Sequence, residues 1–452
     1  MRRHSLSLLL GFAWLVSVPS AALAVNTLET VELTGDPDNR IDLVIVAEGY
    51  TSAEAVLFRD HVDALVAGFF AYEPWASYRG GFNLYRIVTE SAESGADHPS
   101  LGTSVDTYLD ATYDYLGVER LLVVNEALAV SIATGLLPEV DFVVVLVNDA
   151  QYGGSGGSVA TVSANELAVE ILTHELGHTF ADLADEYTDA FPGYPPGDGE
   201  PNVDFDFAFD LVKWNVWMEP GTPLPTLMSD ATTDYLPVGA YEGARYLESG
   251  IYRPAPWCMM RSVSYGYCAV CREALVLGIY GWVEPIDDVL PTPGVVQVDR
   301  GDPGTYPVHF EALTPALGEA GELSVTWWFD DQPVGTGLAF ELGLSALGDF
   351  LGVGELRCVV TDQTPWVRTD PLATLTAERS WSVQVSGSLP DGGVGVDAGG
   401  VPDPRAEGCH CRTAAPPVSL PVWLLLVLGW LINRRRAYRT RGSAWRRRRG
   451  PW

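Results

Sequence analysis

The stretch His174-Glu175-Leu176-Gly177-His178-Thr179-Phe180-Ala181-Asp182-Leu183-Ala184-Asp185-Glu186-Tyr187 sets the reading of the whole chain. On a helix, positions four apart share a face, so His174 and His178 can aim two imidazole nitrogens at one point. Such nitrogens bind Zn2+ at about 2.0–2.1 Å. Glu175 is offset by about 100° and is too close to the first ligand to be a convenient third one. It is placed instead to take a proton from a water on the metal and hand it to a leaving amine. The third ligand is open. Asp185 is the first candidate, with Glu186 and Glu242 as alternatives. A helix running on past His178 would carry Asp185 about 10 Å beyond it, so Asp185 reaches the metal only if the helix bends or ends near residues 181–183.

Working outward, residues 41–47 (IDLVIVA) and 141–147 (DFVVVLV) are continuous apolar runs suited to strands buried on both faces. Between them, residues 53–70 have helical spacing, with Val56, Leu57, Val62, Leu65, Val66 and Phe69 as the expected apolar face. Gly153-Gly154-Ser155-Gly156-Gly157 reads as a flexible turn, and Ser163-Ala164-Asn165-Glu166 as a capping box opening the histidine helix. Strand and helix alternate over residues 25–285, which predicts an α/β (α+β) domain. From 286 to 387 short alternating strands take over, around Trp327, Cys358 and Trp381, and predict an all-β, immunoglobulin-like sandwich. A Gly-, Pro- and Asp-rich linker follows over 388–407.

The wider set of segments supports a family reading. HELGHTFADLADEY, NRIDLVIVAEGYT (from Asn39), NDAQYGGSGG (from Asn148), VGAYEGARYLESGIYRP (from Val238) and CMMRSVSYGYCAVCRE (from Cys258) together resemble the IgA-peptidase family of zinc metalloendopeptidases, a zincin family. The resemblance spans residues 27–285 and implies a zincin-type fold, one zinc ion per chain and a protein or peptide substrate. It departs from the metzincin pattern H-E-x-x-H-x-x-G-x-x-H/D, since Ala181 and Ala184 stand at the Gly and third-ligand positions. The residues themselves assign a metal to His174, His178 and, first among its candidates, Asp185, with Glu175 as catalytic base; matched positions add Tyr252 near the developing oxyanion and Met259 and Met260 as a floor beneath the metal. Residues 152–157 are a candidate backbone edge for an extended substrate. The rival reading is a surface adhesin built on an inactive zincin domain.

Other groups are weighed on their own chemistry. Asp198, Glu200, Asp204 and Asp206 form an acidic cluster that is a candidate Ca2+ site, without the spacing of an EF-hand. Cys258, Cys268 and Cys271 permit one local disulfide and leave one thiol over; as a zinc knuckle, Cys268-Ala269-Val270-Cys271 needs two more ligands nearby. Glu48, ending a strand, is either a site carboxylate or a structural hydrogen-bond acceptor, and the structural reading is favoured.

Both ends read as targeting signals. Residues 1–24 have Arg2 and Arg3, a short apolar run and Ala22-Leu23-Ala24, the pattern of a secretory signal peptide. Residues 408–452 hold Gly408-Cys409-His410-Cys411, an apolar stretch over 418–432 and an arginine cluster. This resembles the myxobacterial-type C-terminal sorting tag, which implies cleavage near Cys409 by a sorting protease and residence at the cell envelope. Membrane contact is then expected only through this segment. The formal net charge is −32, and both arginine-bearing ends lack acids, so the intervening chain is more acidic still. Such a surface repels nucleic acid and anionic membranes.

Overall fold

Every residue of Ile41–Glu48 is buried, as expected of a strand with helices on both sides. The computed structural model describes residues 26–191, 193–230, 237–318 and 323–389. Six strands form the first sheet: β1 (Thr27–Glu32), β2 (Ile41–Glu48), β3 (Phe82–Val88), β4 (Phe142–Val147), β5 (Gly154–Ser155) and β6 (Ala160–Ser163). Their order is β1-β3-β2-β4-β6-β5. The central pairs β3/β2, β2/β4 and β4/β6 are parallel, whereas β1 and β5 pair antiparallel at the two edges.

Alternate residues of β2 serve two cores. Ile41, Leu43, Ile45 and Ala47 face α1 (Ala55–Phe69), α3 (Ala168–Ala181) and α4 (Ala269–Tyr280). Val44 and Val46 face α2 (Glu126–Leu136). On α1 the buried stripe is Phe58, Val62, Leu65, Val66 and Phe69. Val56 and Leu57, expected on that face, are exposed instead, because Phe58 takes the inward position of the first turn. Two further expectations fail. The glycine run is not a free turn, since Gly154 and Ser155 pair with Val162 and Thr161. Ser163 does not cap a helix: it ends β6, and its hydroxyl donates to Gly153 O at 3.1 Å. A reciprocal cap occurs elsewhere, where the Glu54 carboxylate accepts from both Thr51 N–H and Thr51 Oγ1 ahead of α1.

Between α3 and α4 lies a hairpin of β7 (Tyr241–Ala244) and β8 (Leu247–Arg253). Beyond α4 come β9 (Asp288–Leu290), β10 (Val295–Asp299), β11 (Val308–Leu313), β12 (Leu323–Phe329), β13 (Gln332–Thr336), β14 (Ala339–Leu342), β15 (Gly352–Asp362) and β16 (Thr376–Ser386). They form a five-stranded sheet, β10-β16-β15-β12-β13, and a three-stranded sheet, β14-β11-β9. The two share one core built on Phe310, Trp327, Phe340, Cys358 and Trp381. Asp362 ties this core to the first, accepting from Tyr78 and Tyr280 hydroxyls at 2.6 Å each.

Candidate metal centre and its surroundings

The local chain path brings the histidine helix and the carboxylate together. Ile171, Leu172 and Leu176 bury one side of α3. Gly177 lies against the Met260 sulfur, which a Cβ at that position would meet at 2.8 Å. The helix stops at Ala181, and Asp182 takes a left-handed conformation (φ 54°, ψ 36°) that an aspartate tolerates better than most residues. The reversed chain closes back, with Leu183 N–H donating to Gly177 O at 3.3 Å. Two residues later Asp185 faces the two histidines.

The proton positions follow from the partners. His174 Nδ1 lies 3.1 Å from Met259 O, and His178 Nδ1 lies 2.6 Å from Leu183 O. A carbonyl only accepts, so each Nδ1 carries the proton and, in a neutral ring, each Nε2 keeps a bare lone pair. Those two Nε2 atoms are 3.1 Å apart, and Asp185 Oδ1 lies 3.0 Å from the first and 3.4 Å from the second. With both rings neutral, three acceptors would meet with no proton between them, an arrangement that calls for a cation. Tetrahedral zinc with bonds of about 2.05 Å places its ligand atoms about 3.3 Å apart, so the spacing suits that ion. His174, His178 and Asp185 form a group able to hold a metal.

Without a cation, the same atoms hold a proton. Burial opposes a charge on His178, but Asp185 and Glu175 outweigh it and push its pKa up to about 9. Burial likewise works against the Asp185 carboxylate, yet His178 and His174 hold its pKa well below the ordinary range. A divalent ion would replace the proton as counter-charge.

Around this cluster, some sequence expectations meet and others separate. Glu175 points its carboxylate at the glycine run: a Cβ on Gly156 would sit 2.8 Å from Glu175 Oε2. The outer side of that run is partly occupied, since Gly154 N–H donates to Arg120 O at 3.3 Å and Ser155 Oγ to Leu122 O at 2.6 Å. Met259 and Met260 are fully buried behind the histidines. Glu48 accepts from Leu109 and Ala111 N–H at 2.7 and 3.0 Å, a structural bond.

Tyr252 is not brought to the cluster. Its ring packs on Phe207, its backbone pairs with Asp204, and Glu242 lies across the hairpin. Exposed Glu242 instead accepts from Gly250 N–H at 3.0 Å. The tyrosine that does arrive is Tyr246, from the turn of the same hairpin, whose hydroxyl donates to Asp185 Oδ2. Arg245 and Tyr246 both have positive φ (51° and 64°) there, and their N–H groups donate to Asp185 O and Tyr187 O. Sequence reading passed over Tyr246, because neither residue is a usual left-handed turn former. Tyr187 and Arg120 also stand beside Asp185; burial and the Asp185 charge push the Tyr187 phenol up.

The acidic cluster does not converge. Asp198 pairs with Lys213, Glu200 with Arg245, and Asp204 accepts backbone N–H groups of Asp206 and Lys213. Among the described residues none of these acids belongs to a group of side chains placed to hold a metal. The positions are taken by two basic side chains and by backbone donors.

A mostly parallel sheet is thus backed by a helix whose two imidazoles, with Asp185, could hold a metal ion. The chain belongs to the IgA Peptidase M64 family, which matches residues 30–236 and 227–279, more than half of its length. It is accordingly a metallopeptidase, with proteins as its substrates. No curated protein matches the chain.

Proposed function

We propose that this metallopeptidase is a zinc-dependent endopeptidase in which His174, His178 and Asp185 hold the metal and Glu175 moves the proton. The observation that carries the reading is the meeting of the two Nε2 atoms and a carboxylate oxygen within 3.0–3.4 Å. When bound, zinc supplies Lewis acidity, polarising a carbonyl and lowering the pKa of water. The chain supplies the rest. Carbonyls of Met259 and Leu183 fix the two imidazole tautomers, and Tyr246 fixes Asp185. Glu175 accepts the proton of the attacking water on a carboxylate oxygen and passes it to the departing amine. An extended peptide lies along residues 155–157, beside that carboxylate. Tyr252 has no part in this reading.

The test uses casein as substrate. Hydrolysis is expected to vanish on chelation and return with zinc. Glu175→Ala is expected to lower it by about 10²–10⁴-fold with an unchanged circular dichroism spectrum. Full activity in the chelated protein, or in Glu175→Ala, would refute the assignment.

We also propose that the enzyme is exported and held at the cell envelope, on the sequence patterns at residues 1–24 and 408–452, which lie outside the described residues. No helix among the described residues is long and apolar enough to cross a membrane. In this reading the second core is an immunoglobulin-like spacer or docking module, supported by two sheets closing around Trp327 and Trp381.

A further inference from the structure

Directly behind the histidine cluster lies a second group of ligand-type side chains. Cys258, Cys268, Cys271 and Glu186 each offer an atom within 4.8 Å of the others. Cys258 Sγ and Cys271 Sγ are 3.6 Å apart, and Cys271 Sγ is 3.5 Å from Glu186 Oε1. Zinc–sulfur bonds of about 2.3 Å set tetrahedral sulfur atoms about 3.8 Å apart, whereas a disulfide needs about 2.05 Å. No disulfide joins these three cysteines.

An independent observation points to a ligand. Glu186 is fully buried, and its Oε2 has no hydrogen-bond partner; Oε1 takes only Asn202 Nδ2, at 3.0 Å, and the Cys271 thiol. A buried carboxylate oxygen left bare is costly unless a cation answers it. The sulfurs are also prepared. Cys268 stands at the N-cap position of α4, and Cys258 Sγ takes its N–H at 3.3 Å. Buried Arg253 acts electrostatically on Glu186 and Cys258 and would offset the excess negative charge.

We propose that Cys258, Cys268, Cys271 and Glu186 form a second metal site, structural in role, that takes a thiophilic divalent cation of the zinc type. Three soft thiolates with a closed fourth ligand leave no position for substrate. Binding releases the thiol protons to solvent. The site sets the geometry of its neighbour: Glu186 follows Asp185, Met260 O accepts Glu186 N–H at 2.7 Å, and Met259 O accepts from His174. A metal here therefore fixes both the loop that delivers Asp185 and the carbonyl that orients His174.

The experiment is metal analysis of the purified full chain beside a His174→Ala/His178→Ala variant, each also reconstituted with Co2+ for absorption spectroscopy. The expected result is two zinc ions in the wild type and one in the double variant. The cobalt form of that variant should keep sulfur-to-cobalt charge-transfer absorption in the near ultraviolet. If the double variant does not fold, the wild-type cobalt spectrum decides: charge-transfer absorption supports the site and its absence overturns it. A double variant with no metal overturns it, whether the thiols are free or two are joined in a disulfide. A wild type holding one metal with sulfur-to-cobalt absorption would uphold this site while failing the histidine assignment.

Discussion

Asp185 and Glu186 are consecutive carboxylates, both buried, and the fold sends them to opposite surroundings. Asp185 lies against two imidazoles and a phenol, and the histidines outweigh burial to hold it ionised. Glu186 lies among thiols, and burial, with the charge on Cys268, pushes its pKa up to about 8. Successive residues of an extended segment point to opposite sides, so one step along the chain is enough to separate two environments. Burial alone does not decide the state of a carboxylate; the charge it meets does.

The largest effect that would sharpen this contrast comes from the Asp185 side. Tyr246→Phe removes a donor to Asp185 without touching the ligand atoms and should weaken zinc affinity about 10–100-fold, measured by titration against a chelator. Unchanged affinity would mean that Asp185 needs no outer anchor. Gly156→Ala is expected to displace the Glu175 carboxylate and lower kcat of casein hydrolysis about tenfold, with zinc content unchanged. On the other side, Glu186→Gln has an effect that depends on metal. In the zinc-loaded chain it should lower Tm by several degrees, roughly 1–3 kcal/mol, through a lost ligand bond. After full chelation it should be close to neutral, because a carboxyl pushed up to about 8 by burial is already largely protonated at neutral pH and Gln replaces one uncharged group with another. The same effect in both states would break the comparison.

The smallest effect is one of pH, in the chelated protein. His178 titrates at about 9 in the fold against 6.5 unperturbed, so its contribution to stability is complete below about pH 6.5 and fades as pH rises through 9. Asp185, held low, contributes above the ordinary aspartate pKa and is lost as acid reaches its depressed value. Chemical denaturation across pH should therefore show a fall on the alkaline side that His178→Gln removes.

What the sequence disclosed follows from the range of the interactions. Strands β2 and β4 were legible because a strand buried on both faces needs apolar residues at nearly every position. The pair His174 and His178 was legible because a helix fixes the relation of positions four apart. The face of α1 was misjudged by one position, since Val56, Leu57 and Phe58 are all apolar and only packing selects Phe58. Ser163 has the spacing of a cap, yet the ladder to β4 claims that residue as a strand end. Tyr246, and the meeting of Glu186 with the cysteines, were beyond reach for another reason. Tyr246 meets Asp185 across 61 positions and Glu186 meets Cys271 across 85; the first contact depends on how the hairpin docks on the loop and the second on how α4 does. Tyr252, in the same hairpin, lies apart from the cluster, its ring against Phe207.

The central claim is that Asp185 completes the catalytic metal set. Casein hydrolysis by wild type and Asp185→Ala, followed over a series of buffered free zinc concentrations, tests it directly. The account predicts that Asp185→Ala reaches half-activity only at about 10²-fold higher free zinc or more, or stays inactive throughout. A variant whose midpoint and plateau coincide with those of the wild type would contradict it.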